Sequence, residues 1–297
     1  MKHLAVIGRP LGQTLSPHLH GRVYSLLGIA ADYTALDTGP GNLSEVADKL
    51  RRGELAGINI TIPYKNRFLD YLDSSDPQVQ LTGAVNCVSV ADDKLIGHNT
   101  DVAGIIFALE QHSVRVEKQS AIILGTGGAA RAAVIALHQA GAGKITVAGR
   151  REEAVSEICH HFQSAAGVQV TGQQLSSGQD VSSHNIIINT TPVGMWPNTD
   201  QAILAANQLR PGQAVFDAVY HPATTRLLAY AQERGCQVVN GLAMFIGQAL
   251  ASIDHWFDGI TGFTGGVLHP ALNLDNLTAE LAAEIGQKDS RAQGVAV

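Results

Sequence analysis

Residues Ser120–Arg131, with the sequence SAIILGTGGAAR, decide the fold class of this chain. Ala121–Leu124 is an unbroken apolar run, typical of a buried parallel strand, and a glycine turn follows it directly. An Ala-rich helical pattern then begins at Ala129. Such a turn between a strand and a helix brings bare backbone and unpaired N–H groups to a pyrophosphate. The stretch therefore predicts a dinucleotide site formed by Gly125, Thr126, Gly127, Gly128 and Ala129.

The composition excludes several classes of protein. The chain has 297 residues, enough for two domains, and its formal net charge is −6 without an extended basic face, so nucleic acid is not an expected partner. No run approaches the roughly 20 apolar residues of a membrane span, and the N-terminus does not resemble a signal peptide. Cys87, Cys159 and Cys236 are widely spaced, which is typical of buried thiols in a reduced compartment. We expect a cytoplasmic protein that binds a small molecule and no membrane.

The chain before the glycine turn contains two loops with candidate polar residues. Short strand and helix patterns alternate there, which predicts an α/β domain. Thr14 and Ser16 follow the first strand, although hydroxyls in such loops commonly bond to their own turn. Thr61 lies in the strand pattern GINITIPYK, which breaks at Pro63 and leaves Lys65 just past the carboxyl end, where open α/β sheets bind ligands. A solvated surface charge is the alternative interpretation of Lys65.

Asn86 and Asp101 are the next candidates along the chain. Asn86 sits among apolar neighbours, so its amide needs hydrogen-bond partners, which the hydroxyls of a substrate can supply. Asp101 ends the motif GHNTD, directly before a helical pattern and at the junction of the two predicted domains. Its position at the junction favours a functional role. The alternative is a helix-capping or first-turn carboxylate, which is worth about 1 kcal/mol and needs no ligand.

The strand after the glycine turn predicts the cofactor. The pattern KITVA leads into Arg150 and Arg151, and guanidinium groups suit a 2′-phosphate, whereas an NAD site usually has an acidic residue at this point. We therefore predict NADP. NAD stays possible because Glu152 and Glu153 follow directly and weaken the positive field.

Further along, Thr190 ends the buried strand pattern HNIIINT, and Gly241 stands at the start of a long helix. The same helix contains Gln248 and is expected to cross back to the first domain. Histidines and cysteines are dispersed along the chain, so we predict no metal site. The polar tail at 287–297 is expected to be disordered.

Eight motifs follow one another along residues 4–257. They read LSPxLH, NITIPYK, GAVN, GxNTDxxG, GTGGAAR, NTTPVGM, DAVYxP and NGLxMxxxQ. In this order they resemble the shikimate dehydrogenase family. The resemblance implies an α/β fold with two domains and C-terminal helices that return to the first domain. We assign 1–103 and 240–297 to an N-terminal α/β substrate domain, and 104–239 to a Rossmann-like NAD(P)-binding domain.

The resemblance also implies roles for the candidate residues. Lys65 and Asp101 would be the catalytic pair that moves a proton while hydride leaves a secondary alcohol for the nicotinamide. The substrate would be a polyhydroxylated cyclohexene or cyclohexane carboxylate, bound by a monomer or homodimer. Its carboxylate would meet Thr14 and Ser16. Its hydroxyls would meet the polar side chains of Thr61, Asn86, Tyr220 and Gln248. Thr190 and Gly241 would belong to the cofactor site.

Three positions depart from the family pattern. Thr14 replaces the usual serine, and its methyl group removes space near the acid end of the substrate. Gly149 stands where many NADP-dependent members have asparagine, and Ala218 stands where a bulkier methionine is frequent. Quinate or aminoshikimate as substrate, with NAD as cofactor, are therefore alternatives to shikimate with NADP.

Two other kinds of protein would share part of the pattern. A non-catalytic, dinucleotide-binding regulatory protein would have the same fold but would not need both Lys65 and Asp101. A two-domain reductase acting on folates would have the glycine turn but would not need the LSP and NTD loops together.

Overall fold

The computed structural model describes residues 1–12 and 14–292, which divide into two compact units. Unit 1 comprises Met1–Thr100 and Ile246–Leu277. Unit 2 comprises Asp101–Phe245 and the residues from Thr278 onwards. Residues 278–292 thus group with unit 2, whereas the sequence analysis assigned them to the substrate domain. The predicted domain boundaries themselves stay a prediction.

Unit 1 is built on a mixed six-stranded sheet. Its strands, in chain order, are β1 (Lys2–Gly8), β2 (Ala31–Asp37), β3 (Gly57–Ile60), β4 (Ser74–Ser75), β5 (Cys87–Ala91) and β6 (Lys94–His98). They are arranged in the order β2-β1-β3-β5-β6-β4. β1 is parallel to β2 and β3, whereas β5 is antiparallel to β3 and β6. The helices before residue 100 are α1 (Ser16–Leu27), α2 (Leu43–Arg51) and α3 (Pro77–Thr82).

Helix α2 shows how the sequence pattern builds the core of unit 1. Its buried residues are Leu43, Val46, Ala47 and Leu50, at the i, i+3, i+4, i+7 spacing of one helix face. They join a cluster with the apolar residues of β1 and β3. The opposite face is polar, and there Lys49 and Glu45 form an i,i+4 ion pair of 3.0 Å.

Unit 2 contains a fully parallel six-stranded sheet. Its strands are β7 (Ser120–Leu124), β8 (Lys144–Gly149), β9 (Val170–Gln174), β10 (Ile186–Asn189), β11 (Ala214–Asp217) and β12 (Gln237–Val239). The order β12-β11-β10-β7-β8-β9 is the doubly wound order of a Rossmann fold, with β7 as its first strand. α4 (Asp101–Gln111) precedes β7, and the helices between the strands are α5 (Gly128–Gln139), α6 (Glu152–Ala166) and α7 (Arg226–Glu233). The predicted two-domain α/β fold is confirmed.

The topology of unit 2 places its ligand-binding edge. The strand order reverses between β7 and β10, which are paired in parallel from Ala121 to Leu124 and from Ile186 to Asn189. In open α/β sheets, ligands bind at the carboxyl ends of the strands at such a reversal. The glycine turn that follows Leu124 lies at this position.

The C-terminal part of the chain contains two long helices. α8 (Gly241–Trp256) begins in unit 2 and ends in unit 1, so the predicted return of this helix to the first domain is observed. α9 (Leu274–Ala292) includes residues 287–292, so the prediction of disorder is wrong there. Residues 293–297 lie outside the described residues. Across 1–12 and 14–292, every helix is too short or too polar to cross a bilayer.

The structure corrects several local expectations. β3 ends at Ile60, because Thr61–Tyr64 forms a turn in which the Tyr64 N–H donates to the Thr61 carbonyl at 3.0 Å. The strand is therefore shorter than predicted, and Lys65 lies past its carboxyl end. Cys87 is buried, but Cys159 and Cys236 are only half-buried, so the expectation of three buried thiols is wrong for two.

Candidate active site

The glycine turn of unit 2 joins the ends of the two central strands. Gly125 has φ +123°, a conformation that side chains disfavour, and a Cβ at this position would lie 2.5 Å from Oγ1 of Thr190. Thr190 follows β10, and its hydroxyl donates to the Leu124 carbonyl at 2.8 Å. The structure therefore brings two predicted cofactor residues, Gly125 and Thr190, to the reversal point of the sheet.

The N-terminus of α5 suits an anionic ligand. Gly127 precedes the helix, is exposed, and has open space around the position that a Cβ would occupy. Among the described residues, no side chain caps this end of the helix, and its first turn contains no acidic residue. Its backbone N–H groups and the positive end of the helix dipole thus lie next to open space. Gly127, Gly128 and Ala129 fit the pyrophosphate of a dinucleotide.

The end of β8 lies against the same turn. A Cβ on Gly149 would lie 2.4 Å from the methyl carbon of Thr126, so only glycine fits beside this threonine. Arg150 and Arg151 follow and are exposed, whereas Glu152 and Glu153 form the first turn of α6.

Buried polar groups hold the loops after β10 and β11 together. Asp217, fully buried, accepts hydrogen bonds from Asn189 Nδ2 at 2.9 Å, the Val219 N–H at 3.1 Å and the Thr225 hydroxyl at 2.6 Å. Asn189 in turn accepts from the backbone and hydroxyl of Thr191. Burial raises the pKa of Asp217 to about 6, because the three hydrogen bonds only partly offset the loss of solvation.

Tyr220 and Gly241 are placed by these loops. The ring of Tyr220 is stacked on Phe245, with centroids 4.5 Å apart. A Cβ on Gly241 would lie 2.6 Å from the Ala218 carbonyl oxygen, so α8 starts in close backbone contact with the end of β11. Both predicted site residues therefore lie beside the carboxyl end of β11 in unit 2.

A second polar network lies in unit 1. Asn86 is buried, donates to Thr100 Oγ1 at 2.9 Å and accepts from the Thr100 N–H at 2.7 Å. Thr100 Oγ1 is 3.1 Å from Ser252 Oγ, which also accepts from Asn59 Nδ2 at 2.9 Å. Ser252 donates to the backbone carbonyl of Gln248 on α8. The structure thus brings Asn86 and the Gln248 segment into one hydrogen-bonded network.

The two remaining loops of unit 1 lie at the ends of β1 and β3. The carbonyl of Lys65 accepts from the Val85 N–H at 2.9 Å, so the backbone of Lys65 is adjacent to that of Asn86. The Thr61 N–H donates to the Ile7 carbonyl at 2.9 Å. At the start of α1, Thr14 Oγ1 donates to Ser16 Oγ at 3.1 Å and accepts from the Ser16 N–H at 3.2 Å.

Asp101 is the first residue of α4 and is only 4% exposed. It follows Thr100 directly in the chain, and Thr100 is hydrogen-bonded to Asn86. Its place in the first helical turn fits the capping interpretation, and its burial favours a functional role. The pairing of Asp101 with Lys65 stays a prediction.

Comparison with known proteins assigns the family. A model of the shikimate dehydrogenase substrate-binding domain matches residues 6–88, and one described as shikimate / quinate 5-dehydrogenase matches residues 107–196. A protein of Moorella thermoacetica named shikimate dehydrogenase (NADP(+)) is 36% identical over 256 residues, which cover 85% of this chain and 87% of the relative. The chain belongs to the shikimate dehydrogenase family. The resemblance drawn from the motifs is confirmed.

Solved structures of the shikimate dehydrogenase family agree with this assignment. The enzyme of Thermus thermophilus in complex with NADP(H) and shikimate is 29% identical and has a TM-score of 0.81, covering 94% of this chain and 99% of its own. The enzyme of Listeria monocytogenes in complex with shikimate and NAD is also 29% identical, with a TM-score of 0.82 and 95% and 96% coverage.

Four residues of the polar networks were missed by the sequence analysis as site residues: Asn189, Asp217, Thr100 and Ser252. Asn189 and Asp217 gave a signal, because each is a polar residue that ends an otherwise apolar strand. Ser252 is one helical turn beyond Gln248 on α8, which is the spacing that places two side chains on one face. These residues support the loops of this shikimate dehydrogenase family member.

Proposed function

We infer that this chain is an NADP-dependent oxidoreductase that interconverts shikimate and 3-dehydroshikimate by reversible hydride transfer. The observation that carries this conclusion is its 36% identity, over 85% of its length, to a protein named shikimate dehydrogenase (NADP(+)). The exposed, uncapped N-terminus of α5 beside Gly127 supports the cofactor assignment independently.

Lys65 and Asp101 are the proposed catalytic pair. Oxidation of the secondary alcohol removes a hydride from carbon and a proton from oxygen, and bound NADP supplies the hydride acceptor. Lys65 takes the hydroxyl proton on its Nζ atom, and in the reverse direction its ammonium group returns the proton to the oxygen. Asp101 accepts a hydrogen bond from the hydroxyl and orients the lysine. Support comes from the chain itself, since Val85–Asn86 bonds to Lys65 on one side and to Thr100, the neighbour of Asp101, on the other.

Thr14 and Ser16 are proposed to bind the substrate carboxylate. They lie at the N-terminus of α1, which has no side-chain cap and no acidic residue in its first turn among the described residues. Hydroxyl donors and a helix N-terminus together favour an anion. The hydroxyls of the substrate are proposed to meet Thr61, Asn86, Tyr220 and Gln248.

The cofactor is proposed to contact the glycine turn and the residues that follow β8 in unit 2. Its pyrophosphate would lie on Gly125–Ala129. Its 2′-phosphate would lie on Arg150 and Arg151, whose exposed guanidinium groups can form bidentate hydrogen bonds to a phosphate. Thr190 and Gly241 border the same strand ends. A cytoplasmic location and a monomeric or homodimeric state complete the proposal, and three free cysteines agree with a reducing compartment.

A steady-state panel tests this function. Shikimate, quinate and aminoshikimate are each assayed with NADP and with NAD, and we expect shikimate with NADP to give the highest kcat/KM. A higher kcat/KM for quinate with NAD would show that the protein is a quinate dehydrogenase, the alternative raised by the methyl group of Thr14. Absence of turnover with all six pairs, in a protein that still binds NADP, would favour a regulatory dinucleotide-binding protein.

A further inference from the structure

Three potential metal ligands converge in unit 1 from separate elements. Asp76 caps the N-terminus of α3, His98 is the last residue of β6, and His255 lies in the last turn of α8. One ligand atom from each of them lies within 4.8 Å of the other two. None of the three has a role in the proposed shikimate or NADP sites.

Asp76 and His98 are already spaced as neighbouring ligands. Nδ1 of His98 donates a hydrogen bond to Oδ2 of Asp76 at 3.2 Å, and a bound metal ion would take the place of this proton. Two ligands bound at about 2.0–2.1 Å to a tetrahedral zinc ion are separated by about 3.3 Å. The side chains of His98 and Asp76 are only 10% and 23% exposed, so the surrounding protein holds them in place.

Both residues are also held by outer hydrogen bonds. Nε2 of His98 lies 2.8 Å from Ser89 Oγ on β5, and Oδ1 of Asp76 accepts from the Val79 N–H at 2.9 Å. Metal-binding histidines typically donate their other ring N–H to such a partner, and metal-binding carboxylates are also hydrogen-bonded. With the ion bound, Nε2 of His98 would donate to Ser89, and this tautomer leaves the Nδ1 lone pair for the metal.

His255 supplies the adjustable ligand. Its ring is stacked on that of His98, with centroids 3.7 Å apart and an angle of 16° between the planes. Nearly parallel rings cannot both point a nitrogen at one ion, so His255 has to turn about its side-chain bonds. It is exposed and, within 1–12 and 14–292, its ring nitrogens make no hydrogen bond, so this rotation breaks none.

We propose that Asp76, His98 and His255 form a binding site for a divalent transition-metal ion of the zinc class. Two imidazoles and one carboxylate suit Zn²⁺ or Co²⁺, whereas Mg²⁺ and Ca²⁺ prefer oxygen ligands alone. The fourth position is open to water. Asp254 is not a fourth ligand, because Thr261 and Thr264 occupy both of its oxygens.

Such an ion would tie the C-terminal end of α8 to the β5–β6 hairpin. His98 is also followed directly by Asn99 and Thr100, so the ion would lie close to the polar network of Asn86. The sequence did not predict this site, because its ligands lie at positions 76, 98 and 255, without the short spacing of a recognisable metal motif.

Zinc titration of the chelator-treated, full-length protein tests the proposal. Isothermal titration with ZnCl₂ should show one strong site per chain, and CoCl₂ should give the visible absorption bands of a tetrahedral ion. His255→Gln should lower the zinc affinity at least about 100-fold, and Ser89→Ala about tenfold. The matched control is His138→Gln, an exposed histidine in the last turn of α5, which should bind zinc like the unmodified protein.

Circular dichroism verifies that each variant is folded before titration. Asp76→Asn is a further test, because asparagine keeps the helix cap but removes the charge of the ligand. The proposal is overturned if the unmodified protein binds no zinc in a one-to-one ratio, or if His255→Gln and His138→Gln bind it equally well. Equal binding of MgCl₂ and ZnCl₂ would also overturn it, since the ligand set excludes that result.

Discussion

Lys65 is the residue on which the proposed proton transfer depends. Alanine at this position removes the group that exchanges a proton with the substrate oxygen, while the dinucleotide site of unit 2 is unchanged. We expect Lys65→Ala to lower kcat about 10²- to 10⁴-fold and to leave the Kd for NADP within about twofold. Initial rates and NADPH fluorescence titration measure the two quantities.

The matched control for that substitution is Lys94→Ala, because Lys94 is an exposed lysine on β6 of the same unit. It should leave kcat unchanged. If Lys65→Ala retains turnover within a few-fold of the unmodified enzyme, Lys65 is not the proton-transfer group.

Asp217 makes the stability of the protein depend on pH. Its pKa is about 6 in the folded protein, raised by burial, against 3.8 for an ordinary aspartate. Below pH 3.8 the carboxyl is protonated in both states, and its full contribution to stability is present. Between 3.8 and about 6 the folded state keeps a proton that the unfolded state has lost, so stability falls as pH rises. The loss amounts to about 3 kcal/mol and is complete above the folded pKa.

Asp217→Asn should remove this loss, because asparagine can accept from Asn189 and Val219 without becoming charged. We expect the free energy of unfolding of the variant, relative to the unmodified protein, to increase by up to about 3 kcal/mol from pH 4 to pH 7. Urea unfolding at several pH values measures the difference. Asp180→Asn is the control, since Asp180 is exposed and its pKa is lowered by hydrogen bonds from Ser182. A difference that is flat with pH would show that Asp217 is not protonated in the folded state.

Single residues also show where reasoning from sequence ends. The argument that a buried Asn86 needs partners was correct, but Thr100 supplies two of them from within the protein. Its position 14 residues away gave no sequence signal, because the pair forms only when β5 and β6 fold back on each other.

At the scale of elements, the segment formed by β7, the glycine turn and α5 contains glycines with two different predicted roles. We expect Gly125 to be needed for the fold and Gly127 to be needed for the cofactor. Alanine at position 125 meets a positive φ and Thr190, so Gly125→Ala should lower the free energy of unfolding by about 1–3 kcal/mol. Alanine at position 127 meets no atom within 4 Å and needs no unusual φ. Gly127→Ala should therefore change stability by less than about 0.5 kcal/mol but weaken NADP at least about tenfold, because its methyl fills the space of the pyrophosphate.

Urea unfolding without cofactor and NADPH titration distinguish the two variants, and each serves as the control of the other. If Gly127→Ala binds NADPH as tightly as the unmodified protein, the pyrophosphate does not approach this glycine.

The strong local sequence patterns of β7 and α5 made these elements predictable, whereas strands with weak patterns were not predicted. β7 and α5 occur where the apolar run, the glycines and the Ala-rich helix placed them. β4 and β6 were missed, since Ser74–Ser75 has no apolar residue and Lys94–His98 has only two. Pairing with β5 makes β6 a strand, and the local sequence does not encode that pairing.

At the scale of the whole molecule, the chain order of the motifs identified the family, but it could not reveal contacts between distant residues. Right-handed crossovers leave only a few possible orders for a parallel sheet, and the order observed in unit 2 is one of them. The grouping of Asp76, His98 and His255 follows from no such rule. It arises because the part of α8 from Ile246 onwards belongs to unit 1, although it follows Asp101–Phe245 of unit 2 in the sequence.

The proposed contacts of NADP with the glycine turn, and of shikimate with Thr61, Lys65 and Asn86, predict a pattern of hydrogen exchange. A ligand that binds only the folded state stabilises it by about 2.7 kcal/mol at a concentration of 100 Kd, which slows exchange where the ligand must leave before the backbone opens. NADP alone should therefore protect the peptides at 125–131 and 149–152, and shikimate alone should protect those at 61–65 and 85–87. Mass spectrometry of deuterated peptides measures both sets in one experiment. If shikimate protects only the peptides of unit 2, the substrate does not bind where Lys65 and Asn86 lie, and the proposed substrate site is wrong.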